Sequence, residues 1–102
     1  VIGIIGSAKR VRLNFIMSLP GKYHSVEYPG PLEIVAAQGS VALKDDETII
    51  HIHAQISGQD ICRGGHLVEA DVFSTAEVSL GELGYQLQRY SDSYTGLNEL
   101  LD

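Results

Sequence analysis

Two histidines separated by one residue, His51 and His53, are the part of this sequence best suited to chemistry. Side chains two residues apart on a β-strand point to the same face, roughly 7 Å apart, so both imidazoles can reach one ion. A third histidine, His66, follows Gly64-Gly65 after a predicted turn, where a hairpin partner would run alongside. Imidazole is a common ligand of zinc and similar divalent ions, and three imidazoles leave a fourth position open. The predicted metal ligands are therefore His51, His53 and His66, with zinc or another divalent metal as the cofactor.

The strand that carries the first two histidines is predicted over residues 48–57, which are rich in β-branched side chains. One face of this strand is wholly apolar and comprises Ile50, Ile52, Ala54 and Ile56. The histidines lie on the other face, so they are not core residues of their own sheet. They are then either solvated, hydrogen-bonded side chains or metal ligands. Gly64-Gly65 favours the metal, because glycine lets His66 approach a neighbouring strand closely.

Other residues near these elements keep alternative interpretations. Cys62 is either an extra ligand or a small buried thiol. Glu33 is either a carboxylate that orients a histidine or an acid at a strand edge facing water. His24 lies in a separate polar segment and is predicted to be an ordinary surface histidine. A cupin centre is excluded, because its glutamate four residues after the second histidine is Ser57 here.

Composition limits the classes of function. The length of 102 residues predicts one domain, 1–102, and the hydrophobic fraction of 44% is ordinary. The net charge of −6 argues against strong DNA binding by this chain, whose only basic cluster is Lys9, Arg10 and Arg12. No apolar run approaches the roughly 20 residues of a membrane span. The single cysteine cannot form an internal disulfide, which fits a reducing cytoplasm.

The hydrophobic pattern is that of β-strands throughout. Alternation and β-branched residues predict strands over 11–15, 23–28, 32–43, 48–57, 66–74 with 76–80 following, and 85–89. Pro29-Gly30-Pro31 is predicted to interrupt the chain, residues 44–47 to form a solvated turn, and residues 95–101 a helical turn. Because Val1 opens directly in an apolar run, we expect an N-terminal portion to precede it.

The order and spacing of several short motifs are similar to those of one family. The chain resembles the PPC (plants and prokaryotes conserved) domain, also called DUF296, over essentially its whole length. The motifs that carry the resemblance are 32–41 (LEIVAAQGSV), His51-x-His53, 64–67 (GGHL), 75–78 (TAEV) and the tail from Arg89 to Leu100 with Asp92, Thr95, Gly96 and Leu97.

This resemblance implies an α/β (α+β) domain with a mostly antiparallel sheet, a strand and a helix ahead of Val1, and assembly as a homotrimer. In plants the domain follows an AT-hook, which contacts the DNA. Stand-alone prokaryotic members are predicted DNA-binding proteins and bind a metal, expected to be zinc, through histidines matching His51, His53 and His66. The chain has no AT-hook core, so the prokaryotic metal-binding type is the better match.

Three functions are compatible with these features. The favoured one is a small trimeric metal-binding module with a regulatory, assembly or DNA-associated role. The alternative is a metal-dependent hydrolase or lyase that uses the open coordination position, with Glu33 as general base and Gln55 or Tyr28 as a polar orienting group. The sequence offers no other convergent acid–base pair, which counts against an enzyme. Direct DNA binding through the basic cluster is the least favoured, because of the acidic charge.

Overall fold

The computed structural model describes residues 1–101, in which every regular element is a β-strand. The strands are β1 (Ile2–Ser18), β2 (Lys22–Lys44), β3 (Glu47–Ser57), β4 (Cys62–Leu80), β5 (Arg89–Ser91) and β6 (Asn98–Leu100). The four long strands pair antiparallel in the order of the chain, and β4 returns to β1 to close a barrel. β5 and β6 form a separate two-stranded hairpin.

The core fills the inside of this barrel with aliphatic side chains. β1 supplies Val11 and Leu13, β2 supplies Leu32 and Ile34, and β3 supplies Ile56, all of them buried. These residues follow the two-residue period of each strand, which places one face of the strand inside the barrel. Among the described residues no polar or charged side chain is buried. The outer face therefore carries the groups available for chemistry.

The predicted α/β class is not supported by the described part of the chain, because residues 1–101 contain no helix. The predicted antiparallel β-sheet is confirmed. The α/β label depended on a helix expected ahead of Val1, and nothing in the described strands supports that helix. No helix in residues 1–101 has the length and apolar character needed to cross a membrane.

β2 runs for 23 residues without a break, so the predicted interruption at Pro29-Gly30-Pro31 is wrong. Proline lacks an N–H group, so a strand tolerates it where the edge that its nitrogen faces has no neighbouring strand. Here β2 has only β1 beside it, because its pairing with β3 starts at Glu33. The register of β1 and β2 also shifts here, between the pairs Arg10–Pro29 and Ala8–Leu32, and such an irregularity is a position where a strand tolerates proline.

Two turns show how local sequence sets the course of the chain. Asp45 and Asp46 connect β2 to β3 within the solvated turn predicted over residues 44–47. Their φ values of 49° and 66° are typical of a two-residue hairpin turn. The predicted helical turn over 95–101 is wrong, because residues 98–100 form the strand β6 and no residue of this segment is helical. Asp92 Oδ1 accepts hydrogen bonds from the backbone N–H groups of Tyr94 (2.8 Å) and Thr95 (3.0 Å), which folds β6 back onto β5.

Candidate metal centre

The three predicted ligands meet on the outer face of β3 and β4. His53 and His66 are direct partners across the two strands, and His51 lies two residues from His53 on the same face. The centroids of the His51 ring lie 5.0 Å from His53 and 5.1 Å from His66, and those of His53 and His66 are 5.8 Å apart. One nitrogen from each ring lies within 4.8 Å of the other two. The register of the hairpin formed by β3 and β4 thus brings three imidazoles together.

The distances suit a divalent ion after a small adjustment. A tetrahedral ion with bonds of about 2.1 Å to nitrogen holds its ligand atoms about 3.4 Å apart. The three nitrogens must therefore approach one another by up to about 1.4 Å, which rotation about side-chain torsions can supply. No carboxylate or thiolate joins the three histidines in residues 1–101. Three imidazoles with a free position form the open type of site, in contrast to a closed structural one.

The face assignment from the sequence is correct where the barrel is closed. Ala54 and Ile56 are buried, whereas His53 and Gln55, which alternate with them along β3, are exposed. Ile50 departs from the predicted apolar face, since 62% of it is exposed. β3 pairs with β4 only from His53 to Ser57, so Ile50 lies beyond the closed part of the barrel.

Gly65 allows the close approach that the sequence predicted. A methyl group at this position would lie 3.1 Å from Phe15 Cε1 and 3.2 Å from the carbonyl oxygen of Asn14, tighter than ordinary contact. Gly64 differs, because a methyl there would make only ordinary contacts, with the Ala54 oxygen at 3.5 Å and Gln55 Cα at 4.0 Å. Gly65 is thus the residue of the pair that lets β4 pack against β1 directly before His66.

Electrostatics keep two of the rings in the form that binds metals. Partial burial lowers the pKa of His51, and the positive charge of Arg89 lowers it further. Burial and then the charge of His53 lower the pKa of His66. Metal binding requires the neutral imidazole, so lowered pKa values leave the site ready at neutral pH.

Arg89 reaches the site from β5, and sequence reasoning missed it. Its Nη2 group donates a hydrogen bond to Nδ1 of His51 at 3.2 Å, and Nη1 donates to the Asn98 carbonyl at 2.7 Å. The two residues are 38 positions apart in the chain. In the sequence, Arg89 is notable only as part of the C-terminal motif that resembles the family, and nothing there indicates contact with a histidine.

The other candidates are not members of the three-histidine cluster. Cys62 is exposed, so its interpretation as a buried thiol is wrong, and its sulfur accepts a hydrogen bond from Gln55 Nε2 at 3.4 Å. Glu33 is exposed opposite Ser57 and lines a different depression. Tyr28 packs against the core. His24 is an exposed residue, as predicted.

The basic cluster of β1 is neutralised by acids on its neighbouring strands. Arg10 forms ion pairs with Glu27 (2.8 Å), Glu69 (3.0 Å) and Asp71 (3.2 Å). Arg12 shares Glu27 at 3.2 Å. Three carboxylates thus pair with Arg10 and Arg12, and they equal the three positive charges of the cluster even when Lys9, which is outside these pairs, is counted. The patch therefore has no excess positive charge with which to bind phosphate groups.

Comparison with known proteins identifies the family of this fold. The sequence profile of the Plants and Prokaryotes Conserved (PCC) domain matches residues 1–84. The chain therefore belongs to this family, as its motifs indicated. No curated protein matches it.

Solved structures agree with this assignment. A plant- and prokaryote-conserved protein of Pyrococcus horikoshii is 33% identical with a TM-score of 0.84, and 99% of this chain covers 72% of it. A metal-containing protein of Archaeoglobus fulgidus is 31% identical with a TM-score of 0.86 and the same coverages, 99% and 72%. A proposed DNA-binding protein of Bacteroides thetaiotaomicron has a TM-score of 0.90 at 21% identity, with coverages of 97% and 70%, and it shows likeness of fold alone.

Proposed function

We propose that this protein is a homotrimeric metal-binding module that holds one divalent ion, zinc by preference, through His51, His53 and His66. The observation that carries the proposal is the convergence of three ring nitrogens within 4.8 Å of one another. Neutral imidazoles suit zinc and the late transition metals. The metal-containing relative from Archaeoglobus fulgidus, 31% identical, supports the same assignment.

An unpaired buried acceptor beside His66 also fits a bound metal. A metal-bound neutral histidine carries its proton on the other ring nitrogen and usually donates it to an oxygen. Asn14 is the direct partner of His66 across β1 and β4, and its buried Oδ1 atom has no hydrogen-bond partner. Both residues line one depression together with His51 and His53. We assign Asn14 as the acceptor that orients His66.

Metal content tests this proposal directly. Elemental analysis of the purified protein is expected to give one zinc per chain, lost in the double variant His51→Ala/His53→Ala. The matched control is His24→Ala, which removes an exposed histidine outside the cluster and is expected to retain the metal. Stoichiometric zinc in the double variant would show that the metal is held elsewhere.

The trimer is supported by an open apolar strand edge. Beyond His66, β4 pairs with β1 alone, so its other edge is unpaired in the described chain. Exposed apolar residues follow this stretch, among them Phe73 (57% exposed) and Leu80 (76%). An unpaired strand edge presents free N–H and C=O groups with which another chain can pair. Light scattering is expected to give three times the mass of one chain. The variant Phe73→Glu is expected to reduce that mass. The control Tyr94→Glu, a change at an exposed position of the hairpin, is expected to leave it unaltered.

A metal-dependent enzyme is the second candidate, and the open coordination position favours it. A bound ion supplies Lewis acidity and lowers the pKa of a coordinated water. The position of Glu33 outside the cluster removes it as the general base in this arrangement. A chelator-sensitive activity against hydrolase or lyase substrates would establish this function.

Direct DNA binding is not expected, even at low salt, because Arg10 and Arg12 are already paired with acidic side chains.

A further inference from the structure

Arg89 is a cation beside the histidine cluster without an acidic partner. Within residues 1–101 its guanidinium forms no ion pair, and its Nε–H group is buried without a hydrogen-bond partner. It lines a depression of about 210 Å³ together with His51, His66 and Glu99. Although Glu99 borders this depression, it does not pair with Arg89. A partly buried charge with an unused donor is costly unless a ligand completes it.

The hydrogen bond between Arg89 and His51 cannot coexist with metal ligation by a neutral His51. Arginine only donates, so Nδ1 of His51 must be the acceptor and carry no proton. An ion bound at Nδ1 would compete with Arg89 directly. An ion bound at Nε2 would require the proton on Nδ1, where it would meet the arginine donor. Either way, metal binding releases Nη2 of Arg89.

The released side chain presents two donors on one edge. Nε already lacks a partner, and Nη2 becomes free, while Nη1 stays on the Asn98 carbonyl. This pair of parallel N–H groups is the edge with which arginine holds a planar carboxylate. The three ligands are neutral, so a divalent ion would keep its full charge next to this cation. Both charges favour an anion at the open position.

We infer that the metal-loaded site takes a small carboxylate ligand, held between the ion's open coordination position and the Nε–Nη2 edge of Arg89. This inference rests on the proposed metal site and names the class of molecule that the site binds. Arg89 is a ligand-binding residue in this scheme. Glu99 borders the depression, but it neither joins the three histidines nor pairs with Arg89, so in residues 1–101 the position is left to an added ligand.

Cobalt(II) in place of zinc gives a readout independent of catalysis, because its visible absorption reports changes in coordination. Acetate is titrated into the cobalt-loaded full chain at constant ionic strength, balanced with perchlorate. We expect acetate to change the spectrum, and Arg89→Gln to weaken its binding by about tenfold or more, the effect of losing charge-assisted hydrogen bonds. The matched control is Arg63→Gln, which removes an exposed arginine of β4 that does not line the depression of Arg89. It is expected to bind acetate like the unaltered protein.

The outcomes separate the two proposals. Stoichiometric cobalt with no acetate response, or with equal acetate affinity in Arg89→Gln and the unaltered protein, overturns the carboxylate site and leaves the metal site standing. Failure to bind cobalt overturns the proposed metal centre and the carboxylate site together. Without acetate, Arg89→Gln is expected to bind cobalt more tightly, because the ion no longer has to displace a cation from His51. Weaker cobalt binding in that variant would contradict the release of Arg89.

Discussion

Gly39 of β2 offers a test of how closely the strands must pass beside the site. It is the direct partner of Ile52 in β3. A methyl group at Gly39 would strike the carbonyl oxygen of His51 and would lie 2.9 Å from the His51 carbonyl carbon and from Ile52 Cα. Ordinary contact of such a carbon begins at 3.4 Å. All of these obstacles are backbone atoms, so Gly39→Ala must push β3 away by half an ångström or more.

The cost of this displacement follows from the obstacle. Overpacking typically costs about 1–3 kcal/mol, and a backbone obstacle places Gly39→Ala at the upper end, about 3 kcal/mol. For a domain of this size 1 kcal/mol corresponds to about 4 °C in Tm, so the expected loss is about 12 °C. The displacement also carries the His51 ring away from its partners, which is expected to weaken cobalt binding.

Gly3→Ala is the matched control, in the neighbouring strand β1. A methyl group there meets no atom within 4 Å, and neither glycine has a φ that only glycine tolerates. Thermal unfolding of both variants is compared at one protein concentration, because an oligomer's Tm depends on it. A difference between the two variants below about 2 °C, which is roughly 0.5 kcal/mol, would refute the reasoning about the contact between β2 and β3.

Three further predictions concern charge and metal. The folded state lowers the pKa values of His51 and His66 below 6.5, so near and below pH 6.5 the unfolded chain binds more protons than the folded one. The metal-free protein is therefore expected to lose stability as the pH falls through 6.5. Denaturant unfolding from pH 8 to 5.5 measures this loss, and an equal loss in His51→Ala/His66→Ala would contradict it. Arg10→Ala is expected to lower Tm more than Lys9→Ala, by a margin that shrinks in 1 M salt; a margin independent of salt would exclude the ion pairs as its cause. Zinc at a hundred times its Kd is expected to add about 2.7 kcal/mol to the free energy of unfolding, which EDTA removes, and the same gain in His53→Ala would count against this ligand.

Much of the candidate site was predictable from the sequence because it depends on the short period of a strand. Alternation fixes the common face of His51 and His53, and a hairpin of the right length brings His66 beside them. Gly65 marks a close approach for the same local reason. Strand bounds were harder to predict. Pro29 and Pro31 are turn residues by type, and β2 tolerates them because that part of the strand has a single neighbour and a register shift against it.

The candidate histidines, the shared face of His51 and His53, the β character of the chain and its family resemblance could all be predicted without the fold. Each of these follows from residue types and spacing within a strand or a motif. Only the tertiary structure placed Arg89 on His51, paired Arg10 with acids from two other strands and left Cys62 outside the cluster. Contacts between segments 17 to 61 residues apart depend on barrel closure and on the return of the terminal hairpin, and no local pattern encodes those distances.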